Sequence, residues 1–254
     1  MLMSRAMSAL LLGCAIACRA PATQRVDDSD GGGSAAWMAP LTLPREITRW
    51  RVTIRGPRDT ADRPLSEKTI VQTPGPGQPG EVMIVSAWAP PLISIDSLVV
   101  APRGLLPVRE LLSYNGFTRR YQYAGRHVWG TVQHADSAPR TFDRVFPERV
   151  YAFSEDELLV RAAPFRTGWS VVVPLFSESD EAVEHDTITV IAPTRVRPED
   201  REENAWIIRF ADPAIVSTYV VSAGAREILS VDTQQRRTGA VLRYRGVSGS
   251  SAGG

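Results

Sequence analysis

Apolar and polar residues alternate with a period of two from about Ile47 onward. Trp50, Val52 and Ile54 share one face, while Arg49, Arg51, Thr53 and Arg55 share the other. Val82, Ile84, Ser86 and Trp88 repeat the pattern, as do Ile93, Ile95, Ser97 and Val99, then Trp206, Ile208 and Phe210, and finally Ala240, Leu242 and Tyr244. Side chains alternate across a strand, so this spacing predicts half-buried antiparallel strands. Turn residues punctuate them. Asn115-Gly116 between Leu111–Tyr114 and Phe117–Tyr123 predicts a tight hairpin, because both central positions of a type I′ turn need positive φ. Ala124-Gly125 and Ala223-Gly224 predict two more, and Thr73 to Gly80 reads as a Pro- and Gly-rich loop between strands.

One segment breaks the period. Ser154-Glu155-Asp156-Glu157 reads as a capping box, with Ser154 as N-cap and Glu157 reaching back, and its acidic first turn suits the helix dipole. Leu158, Leu159 and Ala162 then form an apolar stripe, and Pro164 ends the element. The expected fold is all-β and mainly antiparallel. It is a curved meander or half-open barrel of about ten to twelve strands, with one short helix packed on it.

The start of the chain changes this picture. Arg5 is followed by the apolar run Ala6 to Ala17, too short to span a bilayer and shaped like a secretory signal. The only two cysteines, Cys14 and Cys18, both lie here. Ala15-Ile16-Ala17-Cys18 and Leu11-Leu12-Gly13-Cys14 each resemble a bacterial lipobox, whose cysteine is acylated. Cys18 is the expected lipid-attachment residue and Cys14 the alternative. Ordinary cleavage after Ala20 would instead give a secreted soluble protein. The implied organisation is a signal over 1–18, a flexible tether over 19–36, one β-rich domain over 37–247 and a Gly/Ser tail over 248–254. The implied location is the periplasmic side of the envelope, with the outer membrane favoured because Arg19, not Asp, follows Cys18. With Cys18 acylated, the mature domain has no disulfide or thiolate chemistry.

Composition adds exclusions. The net charge is +1 and 22% of residues are charged, so there is no bulk nucleic-acid footprint. Lys68 is the single lysine among 29 basic residues, which reads as an arginine-biased genome. Among short motifs, Ile95-Asp96-Ser97-Leu98-Val99 with Leu106-Pro107-Val108-Arg109, then Tyr121 to Gly125, form one group. Phe153 to Leu159, Ala163-Pro164-Phe165 and Gly168-Trp169-Ser170 form another. Together with Trp206, Tyr219-Val220-Val221 and Ile228-Leu229, they resemble an exported all-β bacterial family of unknown function. That family is distantly similar to LolA/LolB-like periplasmic lipoprotein carriers. The resemblance spans about Ile93 to Arg245. It implies a half-open barrel able to hold acyl chains, and supplies no catalytic residues.

The sequence carries little chemistry of its own. There is no nucleophile elbow, phosphate loop or His-Glu-x-x-His. His127 and His134 fall on opposite strand faces, and His185-Asp186 sits in an acidic stretch, so neither a metal site nor a catalytic residue is expected. Asp96 interrupts an apolar strand and reads as a polar contact at a cavity mouth or as an ordinary strand-face carboxylate. Arg109, Arg119, Arg120 and Arg126 surround the central hairpins and could pair with it or rim an anionic head group. Trp169, Val171, Val173 and Phe165, flanking the helix, are the expected lining of an apolar cavity. The expected function is non-enzymatic. It is an envelope lipoprotein, anchored to the membrane, binding a lipid or acyl chain and no cofactor. The alternative is a structural or protein-interaction module of the envelope.

Overall fold

The computed structural model describes residues 24–25, 36–39, 41, 43, 45–77, 79–101, 103–198 and 201–247. The expected signal, Cys14, Cys18, most of the tether and the tail lie outside the described residues.

Alternation dominates the folded part, and among the described residues one sheet of sixteen strands results. The first half of the chain contributes β1 (Gln24–Arg25), β2 (Glu46–Arg55), β3 (Arg63–Pro74), β4 (Val82–Trp88), β5 (Ser94–Val100), β6 (Pro107–Tyr114), β7 (Phe117–Ala124), β8 (His127–His134), β9 (Arg140–Val145) and β10 (Tyr151–Ala152). A 3-10 turn, Phe153–Glu155, leads into α1 (Asp156–Ala162). The second half contributes β11 (Ser170–Ser177), β12 (Ala182–Val196), β13 (Glu203–Ala211), β14 (Ile215–Ser222), β15 (Ile228–Gln235) and β16 (Val241–Gly246).

The sheet is antiparallel apart from the two-residue strands β1 and β10, which both run parallel to β11. Its order is β1-β11-β12-β13-β14-β15-β16-β2-β3-β4-β5-β6-β7-β8-β9. Two sequential meanders are therefore joined by one ladder, in which Leu242 of β16 faces Ile54 of β2. The sheet curls until its ends meet. Tyr121 of β7 packs edge-on against Phe176 of β11 with ring centroids 5.0 Å apart, and Phe142 of β9 lies 5.5 Å from the same ring. The β9 edge is tied to the turn after β11 by Arg140 to the Glu181 carboxylate and by Arg144 Nη1 donating to the Glu181 carbonyl at 3.4 Å. Charged side chains along an edge oppose further strand pairing.

The predicted hairpins are present. Asn115 and Gly116 hold φ of 46° and 79° between β6 and β7. The strand count exceeds the ten to twelve expected from sequence, because β3 and β9 carry polar residues on both faces and show no clean alternation. The capping box also differs. Glu155, not Glu157, reaches back, accepting from the Ala152 backbone N–H at 2.8 Å. Ser154 and Glu157 are drawn instead to partners on the sheet. The helix stripe is as expected, with Leu158, Leu159 and Ala162 buried against the inner face of the sheet. At least one large apolar side chain from the N-terminal segment joins this core. Trp37 lies 5.4 Å from Trp169, and the Ala39 N–H donates to the Ala162 carbonyl at 2.7 Å.

Candidate ligand-binding site

Register builds one wall of the interior in rows. Lys68, Trp88, Ser94 and Tyr114 are successive cross-strand partners on β3 to β6. The next row is Ile70, Ser86, Asp96, Leu112 and Arg119, and the third is Gln72, Ile84, Leu98, Glu110 and Tyr121. These positions share one face because each is two residues from the last along its own strand. The inward face is thus mixed polar and apolar. At β5 it carries Asp96 and Leu98, while Ile93 and Ile95 are 63% and 50% exposed.

Two adjoining cavities use this wall. An outer one of about 380 Å³ lies at the sheet rim and is lined by Trp88, Leu92, Ile93, Ile95, Leu112 and Tyr114, among others. An inner one of about 250 Å³ lies between the wall and α1, lined by residues that include Lys68, Ser86, Asp156, Glu157 and Glu178. Trp88, Asp96 and Leu112 line both. Each approaches the size of small-molecule sites, which run from about 300 to 1,000 Å³.

The inner cavity is strongly charged. Lys68 Nζ meets Glu157 Oε1 at 2.8 Å and lies 5.9 Å from the Trp88 ring centroid. Burial works against the Lys68 charge, yet Glu157 and Asp156 more than offset it and raise its pKa. Asp156 accepts from the Tyr219 hydroxyl at 2.5 Å, and burial followed by the Glu157 charge lifts its carboxyl to about 6. Glu110 is buried, accepting from Tyr123 Oη at 2.6 Å and from Ser154 Oγ. Asp96 stands beside this pair. Burial and then the Glu110 charge push its carboxyl up to about 8, with Lys68 and a Ser154 hydrogen bond acting the other way. Burial, then Glu110, also raise Glu178 well above the usual carboxylate range. One oxygen of Asp96 and one of Glu178 are enclosed without a hydrogen-bond partner.

No family model matches the chain, and no curated protein matches it. Similarity appears only at the level of fold. A β-barrel-like protein of the domain of unknown function DUF1849 from Brucella abortus superposes with a TM-score of 0.55 at 10% identity, covering 82% of this chain and 97% of that one. A DUF1329 family protein from Desulfovibrio piger aligns over 82% of this chain and 87% of its own length, with 9% identity and a TM-score of 0.27. The chain shares its architecture with a β-barrel-like protein of unknown function. That agrees with the all-β family of unknown function read from the sequence; likeness to LolA/LolB-like carriers is not among these similarities.

Asp96 is the expected site residue that the structure places in a cavity. Trp169, Val171 and Val173 line neither cavity; they are buried core residues, with Trp37 covering Trp169. Phe165 stacks on Trp206 at 5.5 Å and carries the Arg226 guanidinium 4.0 Å above its ring. Of the four arginines near the hairpins, Arg119 shares the Asp96 face, while Arg109, Arg120 and Arg126 are exposed. His127 pairs with Asp143 at 2.8 Å, and His185 with Glu148 at 2.6 Å, both near the surface. No cluster of three or more metal-ligating side chains occurs among the described residues. Lys68, Glu110, Ser154, Glu157 and Glu178 are additional site residues. The sole lysine was a visible signal; the four others carry none in the linear pattern.

Proposed function

We propose that this protein is a non-enzymatic binding protein for an amphipathic ligand, such as a lipid or acyl chain, held at the cell envelope by a lipid on Cys18. The observation that carries the reading is the junction of two unlike cavities at Trp88, Asp96 and Leu112. The outer cavity offers apolar surface already exposed to solvent, which favours an acyl chain by about 0.8 kcal/mol per buried CH₂. The inner cavity offers fixed polar groups for a head group. In this reading the ligand enters at the strand rim of β4 to β6 and not beside Trp169.

Titration of the delipidated protein with decyl maltoside, followed by tryptophan fluorescence below micelle formation, tests it. Saturable binding is expected, and Leu112→Trp, which fills the shared wall, abolishes it. Absence of binding, or binding unchanged in a folded Leu112→Trp variant, overturns the proposal.

A further inference from the structure

We propose that the inner cavity selects ligands with a cationic, amine-bearing head group, received by Asp96 and Glu178. The inference rests on the binding reading above and adds the chemistry of the head group.

Three observations carry it. First, the lining is acidic: Asp96, Asp156, Glu157 and Glu178 face Lys68 and Arg161. Second, the two cations lining the cavity are already engaged, while Arg119 stands beside Glu178 with its Nε enclosed and unpartnered. Lys68 is held by Glu157 at 2.8 Å, and Arg161 Nε donates to the Arg226 carbonyl at 2.8 Å. Third, Asp96 and Glu178 both line this cavity, and one oxygen of each, Oδ1 and Oε1, is enclosed without a hydrogen-bond partner, while the Glu178 side chain also hydrogen-bonds Glu110. Enclosed acceptors are almost always satisfied, and an unpaired one costs about 1–3 kcal/mol. The two oxygens come from different elements, β5 and the turn after β11, so they converge on a space and not on each other's backbone.

An ammonium group supplies the missing donors, three on one nitrogen. An anionic head group would meet four carboxyls against two occupied cations. The groups facing Asp96 are Glu110 from β6, Lys68 from β3, Ser154 and Asp156 from the helical segment, and Glu178. With its carboxyl near 8 in the free protein, Asp96 is mainly neutral at pH 7. An alkylamine keeps its proton well above that pH, as lysine does at about 10.4. Its arrival favours the ionised carboxyl, so binding expels a proton into solution and strengthens as pH rises from 6 to 8.

The test uses three decyl amphiphiles that differ only in head group: decylamine, decyl sulfate and decyl maltoside. Isothermal titration in two buffers of different ionisation enthalpy reads affinity and proton release together. Decylamine is expected to bind at least about tenfold more tightly than decyl sulfate, a difference of about 1.4 kcal/mol, with net proton release at pH 7. Asp96→Asn should weaken decylamine by about tenfold, and by clearly more than it weakens decyl maltoside. Glu178→Gln provides a second variant, and thermal melts show whether each is folded. Equal binding of all three amphiphiles, preference for the sulfate, or indifference of decylamine to both variants overturns the cationic assignment and leaves the binding reading standing. If none of the three binds, the binding reading itself falls.

Discussion

Arg161 and Arg226 hold each other's backbone. Arg161 Nε donates to the Arg226 carbonyl at 2.8 Å, and Arg226 Nη1 donates to the Arg161 carbonyl at 2.6 Å and to the Ala163 carbonyl at 2.9 Å. The second set satisfies carbonyls at the end of α1. A seven-residue helix is too short to persist alone, so this clamp and its packing keep it in the interior.

Removing the clamp should cost stability in a way that separates side chain from backbone. Arg226 sits at φ 58°, where a side chain is strained. Arg226→Ala loses hydrogen bonds from a charged donor, about 1.5–3 kcal/mol. Arg226→Gly loses the same bonds but relieves the left-handed strain, about 1 kcal/mol. Urea denaturation should therefore rank wild type above Gly, and Gly above Ala. Equal Gly and Ala variants would refute the strain contribution.

The ion pair between Lys68 and Glu157 makes a second prediction. Replacing Lys68 with Met strands a carboxylate in the interior, and breaking such a pair costs about 3 kcal/mol. Adding Glu157→Leu removes the stranded charge and should recover most of the loss. A double-mutant cycle in denaturant measures the coupling; additive effects would show that the pair contributes nothing.

Stability should also depend on pH with an unusual sign. Asp186 is buried, with both oxygens unpartnered, and burial followed by the Asp212 charge lifts its carboxyl to about 7. Its folded value lies above the unfolded one near 3.8, so the stability it contributes is fully present below that value. It is lost as pH rises through about 7, as with Asp156 near 6 and Asp96 near 8. Thermal melts from pH 5 to 8 should show Tm falling, and Asp186→Asn should flatten the slope and raise Tm at pH 8. A Tm that rises with pH would contradict this.

Gly130 predicts a packing failure. A Cβ there would stand 1.8 Å from the Arg120 carbonyl oxygen on β7, against backbone that cannot rotate away. Gly130→Ala should therefore open the β7–β8 ladder and cost at least about 2 kcal/mol. Faster amide exchange confined to β7 and β8 would locate the damage, and an unperturbed ladder would refute it.

Much of the fold was legible because side-chain alternation and turn chemistry are local. Asn115-Gly116 and Ala223-Gly224 mark their turns without reference to the rest of the chain. What alternation leaves open is which face is inside. Ile93 and Ile95 share a face, but that face points outward, and Asp96 points inward. A polar interior reverses the usual inference, and only the tertiary arrangement of β3 to β7 reveals it. The capping box failed for the same reason. Ser154 finds Glu110 across 44 residues of sequence and Glu157 finds Lys68 across 89, partners that no local motif encodes. Trp169, Val171 and Val173 line neither of the two cavities; they are buried core residues, and Trp37 packs on Trp169.

The ladder between β2 and β16 has a consequence for how the molecule is made. Each half of the chain is a meander of local strand pairings, and the ladder of β16 on β2 joins the two. The Arg243–Asp62 ion pair beside this join spans 181 residues. Contacts so distant in sequence form late, because a long loop must first be closed. Until β16 leaves the ribosome, β2 and β15 each present an unpaired edge, and the interior with its buried carboxyls has no closed wall. Closure of the inner wall thus waits on the pairing of β16 with β2, at the middle of the sheet.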